Sequence, residues 1–235
     1  MNSMPSIRKT VSIILKLITV ISAVTGTFIS AYAGRASFMG GSRVFMYFTI
    51  QSNILIALIC AVGVLLLLGR KKTGRAWYVI KFVGTVSITL TGVVFAVLLA
   101  PLLGADAWNI QNTLTHLVVP VAAVADMFAV TGSGMLKRKD VVYVIIPPLL
   151  YAIYAGIGYA KGWEFASGAN YPYFFLNWGS PAGAFGFSNE LPFLGTVWWI
   201  LLLLLFLTGV GHAYISVIRA VEKLYASRKP SSTDI

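Results

Sequence analysis

Two histidines, one cysteine and seven carboxylates are all that this 235-residue chain offers to the commonest catalytic and metal-binding chemistries. The single cysteine, Cys60, excludes an intramolecular disulfide. A metal site needs several His, Cys or carboxylate ligands converging. Here three of the acids, Asp106, Glu164 and Glu190, fall in loops, so neither a metal nor a cofactor is expected. No Walker, Rossmann or Gly-x-Ser-x-Gly pattern occurs, and the templates of soluble enzymes do not apply. Charge is scarce throughout, at 11% of residues, which excludes an ordinary soluble domain.

What the chain has in quantity is apolar surface: 58% hydrophobic residues and a mean hydropathy of +0.83. A transmembrane helix needs roughly 20 apolar residues. Six stretches qualify, near Val11 to Ala33, Val44 to Gly69, Trp77 to Pro101, Ile110 to Val130, Val141 to Ala160 and Leu191 to Val217. The expected fold class is therefore all-α: a polytopic membrane protein folded as a six-helix transmembrane bundle. The first stretch follows Arg8, Lys9 and Lys16 and ends Ala31-Tyr32-Ala33, which also suits a secretory signal, although the run is long for one. Pro147-Pro148 reads as a break in the fifth span.

The net charge of +11 invites a nucleic-acid reading. The basic residues, however, sit in short clusters at span ends rather than on one soluble face, so no nucleic-acid partner is expected. Alternating the loops puts most of them, including Arg70 to Arg75, Lys137 to Lys139, Arg219 and Lys223, on one side, against Arg35, Arg43 and Lys161 on the other. The positive-inside rule then makes both termini cytoplasmic. Lys16 and Lys81, a few residues inside their spans, are expected to snorkel to the headgroups. Residues 1–228 read as one transmembrane domain, and 229–235 as a disordered polar tail. The one long outer segment, 161–190, is crowded with aromatics and glycines. An interfacial belt and a lid over an apolar ligand are both open readings of it.

One histidine lies within an apolar stretch on the outer side. An ionisable group at membrane depth is costly to hold and marks a functional-site hypothesis. His116 lies about six residues inside the fourth span, roughly 9 Å deep, and Thr49 about five residues inside the second, roughly 8 Å deep. A hydroxyl becomes a nucleophile when a neighbouring base takes its proton, and imidazole does this at neutral pH. Helical spacing puts Ser52 and Asn53 beside Thr49, and Asn112 and Thr113 one turn from His116, where they can orient the base or donate to an oxyanion. The plainer alternative for each hydroxyl and amide is interhelical packing. Tyr47 and Gln51 lie on other helix faces. His212 reads as structural, and Cys60 lacks a histidine at its depth. Asp126, ten residues past His116 and roughly 15 Å away, is too far to hold the imidazole; it is expected to cap a helix or pair with Lys137 to Lys139.

Phe48-Thr49, Asn112 four residues before His116, the run His116-Leu117-Val118-Val119-Pro120, and Tyr171-Pro172 in the aromatic loop together resemble the androgen-induced gene 1 family of multi-span membrane threonine hydrolases, with a bacterial-looking layout. The resemblance implies cleavage of fatty acid esters of hydroxy fatty acids or related lipid esters. Thr49 would be the nucleophile and His116 the base, with Tyr171 among the orienting or substrate-binding residues. It also implies membrane lipids as surroundings, a hydrophobic lipid ester as partner, and a bacterial cell membrane as location. The rival expectation is a small transporter or lipid-binding protein in which His116 touches the ligand or carries a proton. An accessory subunit is a third possibility.

Overall fold

The structure is a computed structural model that describes residues 6–33, 41–129 and 134–227. The expected tail, 229–235, lies outside them. Among the described residues the chain is helical with no strand, and six helices are long and apolar enough to cross a membrane. These are α1 (Ser6–Ala33), α2 (Phe48–Leu68), α3 (Arg75–Trp108), α4 (Ile110–Ala129), α5 (Arg138–Ala160) and α6 (Thr196–Ser227). The third runs on through a 3-10 turn (Gly104–Trp108), and the sixth starts later than expected and continues through a polar end to Ser227.

Arg8 at the start of α1 donates to the Ala129 carbonyl at the end of α4 at 3.0 Å, and the Gly134 N–H just before α5 donates to Glu222 near the end of α6 at 3.3 Å. The start of α1 and the end of α6 therefore share one face of the bundle, here called the terminal face. The long 161–195 segment closes the other, the loop face. Helices α1 to α4 pack around Ala23, Ile56, Cys60, Ile88 and Val119. Helices α5 and α6 pack onto α3 around Phe82, Val86, Val144, Leu207 and Ile215, so α3 touches both groups.

Two helices are interrupted where proline dictates it. Proline lacks an N–H and its ring crowds the carbonyl four residues back. In α4, Pro120 loosens the ladder at His116, and residues Leu114–Val118 form a π-helical turn in which the Val119 N–H reaches the Leu114 carbonyl. In α3, a second π-helical turn, Phe95–Leu99, precedes Pro101. Pro147-Pro148 does not break the fifth span. The pair occupies the first turn of an α-helix (Ile146–Ala160) that continues from a 3-10 stretch (Arg138–Ile145), where the missing donors would have been free anyway.

The structure corrects the expectations for three charged residues. Lys16 and Lys81 do not snorkel, being 3% and 4% exposed, and Asp126 is wholly buried rather than paired with Lys137 to Lys139. All three meet inside the bundle. Lys16 Nζ lies 2.6 Å from Asp126 Oδ1 and Lys81 Nζ 2.7 Å from Oδ2. Ser12 donates to Oδ1 at 2.6 Å while accepting from Lys16 at 2.6 Å, and Lys81 also donates to the Asp126 carbonyl at 3.1 Å. The Lys16 stem crosses α2 at Gly63, where an added Cβ would lie 2.7 Å from its Cε. Near the terminal face, Asp140 accepts from Arg75 and from the Lys137 N–H.

Candidate functional site

Thr49 occupies the first turn of α2, a helix that starts at Phe48 because Tyr47 is extended (φ −90°, ψ 139°). The first N–H groups of a helix have no partner within it. Here the phenol of Tyr173, arriving from the loop, accepts the Thr49 N–H at 3.3 Å and sits 3.3 Å from Thr49 Oγ1. Ser52 donates to the Thr49 carbonyl at 3.0 Å and pairs with Thr91 Oγ1 at 2.7 Å.

Thr49, Thr91 and Tyr173 border a cavity of about 60 Å³ between α2, α3, α5, α6 and the loop. Phe48, Leu90, Val94, Leu99, Pro148, Phe175, Leu176, Ile200 and Leu203 make its apolar wall. The side chains with polar atoms are those of Thr49, Thr91, Tyr151 and Tyr173; among the described residues no Asp, Glu, Lys, Arg or His lines it. The roof is the inner part of the aromatic loop. Phe165, Phe175 and Leu176 are buried there, Tyr47 donates to the Phe165 carbonyl at 3.2 Å, and Tyr151 donates to the Met46 carbonyl at 3.0 Å. The outer part of the loop behaves differently, leaving Phe185 and Phe187 exposed beside Trp198.

Burial raises the pKa of Tyr173 above the ordinary tyrosine value, against smaller opposing effects from its hydrogen bonds with Thr49. The same cause, followed by the neighbouring Tyr173, acts on Tyr47. Both phenols therefore keep their protons at neutral pH and remain donors.

His116 sits in the π-helical turn of α4 and is nine-tenths buried. Its Nδ1 faces the Asn112 carbonyl at 3.1 Å and Thr115 Oγ1 at 3.0 Å. The carbonyl only accepts, and Thr115 directs its own proton to the Gln111 carbonyl at 2.8 Å. Nδ1 is thereby assigned the proton, and Nε2, which has no hydrogen bond among the described residues, presents a lone pair. The ring stacks on Phe95 of the other π-helical turn, with centroids 3.8 Å apart and planes 22° from parallel. Close crossing of α3 and α4 makes this possible: a Cβ on Gly92 would lie 2.9 Å from the His116 carbonyl oxygen.

The second and fourth spans touch. Asn53 Nδ2 donates to the Thr49 carbonyl at 2.8 Å and across the interface to the Thr115 carbonyl at 3.2 Å, while its Oδ1 is buried without a partner among the described residues. Thr49 and His116 nonetheless make no hydrogen bond to each other, and His116 does not line the cavity. Consecutive residues of α3 divide them: Val94 faces the cavity and Phe95 the imidazole.

The remaining candidates have structural partners. Asn112 donates to the Ala107 carbonyl at 2.8 Å, and Thr113 to the Trp108 carbonyl at 3.2 Å. Tyr171 is partly buried; the tyrosine against Thr49 is Tyr173, two residues on. The alternation of an extended loop is compatible with either. Exposed Gln51 donates to the Phe45 carbonyl at 3.1 Å, and His212 is exposed on α6. Among the described residues no three His, Cys, Asp or Glu side chains converge as metal ligands.

Comparison with known proteins finds no matching family model, no matching curated protein and no matching solved structure. The functional argument accordingly rests on the residues and their geometry.

Proposed function

We propose that the chain is an intramembrane lipid-ester hydrolase in which Thr49 is the nucleophile and His116 the base. The observation that carries the reading is the Thr49 hydroxyl on the wall of an apolar cavity roofed by aromatic side chains. The wall matches an acyl chain in its apolar chemistry, and the side chains around the cavity of about 60 Å³ would have to part to admit one. The neutral His116 Nε2 lone pair suits a proton acceptor, and Asn53 ties the two helices together. Proton transfer requires Thr49 and His116, which Val94 and Phe95 of α3 separate, to come within reach of each other directly or through water. The residue islands shared with the androgen-induced gene 1 family favour a lipid ester, and by the positive-inside rule the loop face is extracellular and the terminal face cytoplasmic.

A second reading is favoured by the Lys16, Asp126 and Lys81 cluster. Intramembrane charges mark ion and proton pathways in transporters, which supports a lipid-binding or proton-coupled membrane protein. Purified protein and its Thr49→Ala and His116→Ala variants, given a panel of lipid esters that includes fatty acid esters of hydroxy fatty acids, separate the two. Release of fatty acid that both variants abolish while remaining folded supports the hydrolase. Absence of release across the panel transfers the weight to binding or transport.

A further inference from the structure

We propose that Tyr173 is a third catalytic residue of this site, whose phenol holds Thr49 and then donates its O–H to the carbonyl oxygen of the substrate as negative charge develops there. The proposal rests on the reading of Thr49 as nucleophile.

Acyl transfer inside an apolar cavity requires donors for the oxyanion, since an uncompensated charge in such surroundings is prohibitive. The cavity wall offers four side-chain hydroxyls besides backbone, of which Thr49 is the nucleophile and two are committed elsewhere. Tyr151 gives its proton to the Met46 carbonyl at 3.0 Å, while Thr91 is paired with Ser52 at 2.7 Å and lies 3.5 Å from the Ser87 carbonyl. Tyr173, by contrast, meets the N–H and hydroxyl of Thr49, both at 3.3 Å. Those long contacts leave room for an oxygen to accept from both the Thr49 N–H and the Tyr173 O–H.

The phenol is also fixed in place. Its ring stacks on Phe175 with centroids 5.1 Å apart and planes 6° from parallel, and meets Tyr47 edge-on at 5.6 Å. A donor held by packing need not reorganise when charge develops, which is the source of this kind of stabilisation.

The step balances. Thr49 Oγ1 forms the bond to the carbonyl carbon and its proton passes to His116 Nε2. The carbonyl electron pair moves to oxygen, which accepts from Tyr173 and from the Thr49 N–H. Collapse breaks the bond to the alcohol, which leaves with the proton from His116. Water, giving its proton to the same nitrogen, then attacks the acyl carbon; collapse breaks the bond to Thr49 Oγ1, which takes the proton back from His116 as the fatty acid leaves.

The test uses the full chain in detergent micelles with p-nitrophenyl decanoate as probe, and compares Tyr173→Phe, Thr49→Ala and a protein carrying 3,5-difluorotyrosine at position 173. Tyr173→Phe keeps the ring packing and should lower kcat by about 100-fold, as loss of an oxyanion donor does, with KM nearly unchanged. Difluorotyrosine should retain the rate at low pH and lose it as its more acidic phenol ionises, a shift in the pH profile that a packing role would not produce. This protein keeps the hydroxyl, so its pH profile decides the matter if Tyr173→Phe fails to fold. A Tyr173→Phe rate within about threefold of the parent, with Thr49→Ala inactive, overturns the role of Tyr173 and leaves the hydrolase standing. An unchanged pH profile with difluorotyrosine does the same. Full activity in Thr49→Ala overturns the underlying reading as well.

Discussion

The two halves of the bundle hold their polar groups in opposite ways. Toward the terminal face, two lysines, one aspartate and Ser12 are sealed together with contacts of 2.6 to 3.1 Å and almost no exposure. Toward the loop face, the polar groups around Thr49 are neutral, some contacts stretch to 3.3 Å, and a cavity lies beside them. The lesson is that charge at membrane depth is not by itself the mark of a ligand site. Saturated, tightly packed ions fix helices in place, whereas an under-committed hydroxyl next to empty space has something left to bind. On the proposed reading the ions serve architecture and the hydroxyls serve function.

The assignment can be broken from the ionic side first. Asp126→Asn strands two buried ammonium groups and should destabilise the protein by about 3–5 kcal/mol, read as a lowered unfolding temperature in detergent. Replacing the whole cluster by Lys16→Met, Lys81→Met and Asp126→Leu should recover most of that loss, because removing a complete buried ion group is often neutral. Ester turnover that survives in the triple variant would sharpen the contrast; proton-coupled transport that disappears with it would break it.

At the junction of the halves, Gly92→Ala pushes a methyl group against the His116 carbonyl and the Pro120 ring, and about 1–3 kcal/mol of stability should be lost through overpacking. Smaller still is Ser52→Ala. It removes the hydrogen bond to Thr91, and such interhelical bonds average roughly 0.6 kcal/mol, so thermal unfolding should move only slightly. An effect of similar or smaller size belongs to the partly exposed Arg43 and Glu164 pair on the loop face. Arg43→Ala should alter stability by about 0.2–1 kcal/mol at low salt, and the difference should fade when the melt is repeated in high salt.

The six spans are legible in the sequence because length and hydropathy are properties of the chain itself. Depth arithmetic places Thr49 and His116 at one level, and Asn53 does bridge their helices. Depth sets height alone, and the azimuth around each helix stays hidden. Lys16 and Lys81 therefore read as snorkelling from their positions near span ends, although each faces inward to Asp126 from a different helix. Pro120, four residues after His116, is the available signal that the helix loosens at the histidine, a signal easily missed when the proline is taken only as part of a motif. Tyr173 is hidden for another reason. In an irregular loop no periodicity tells which of two tyrosines points at the helix, and only the packing of its ring on Phe175 decides it.

The most direct test of the central claim is to treat the purified protein with a long-chain alkyl fluorophosphonate and locate the adduct by mass spectrometry. Attack forms an Oγ1–phosphorus bond and expels fluoride. The account predicts a single adduct on the peptide bearing Thr49, absent in Thr49→Ala. An adduct on another residue, or ester turnover that persists without any adduct at Thr49, would contradict it.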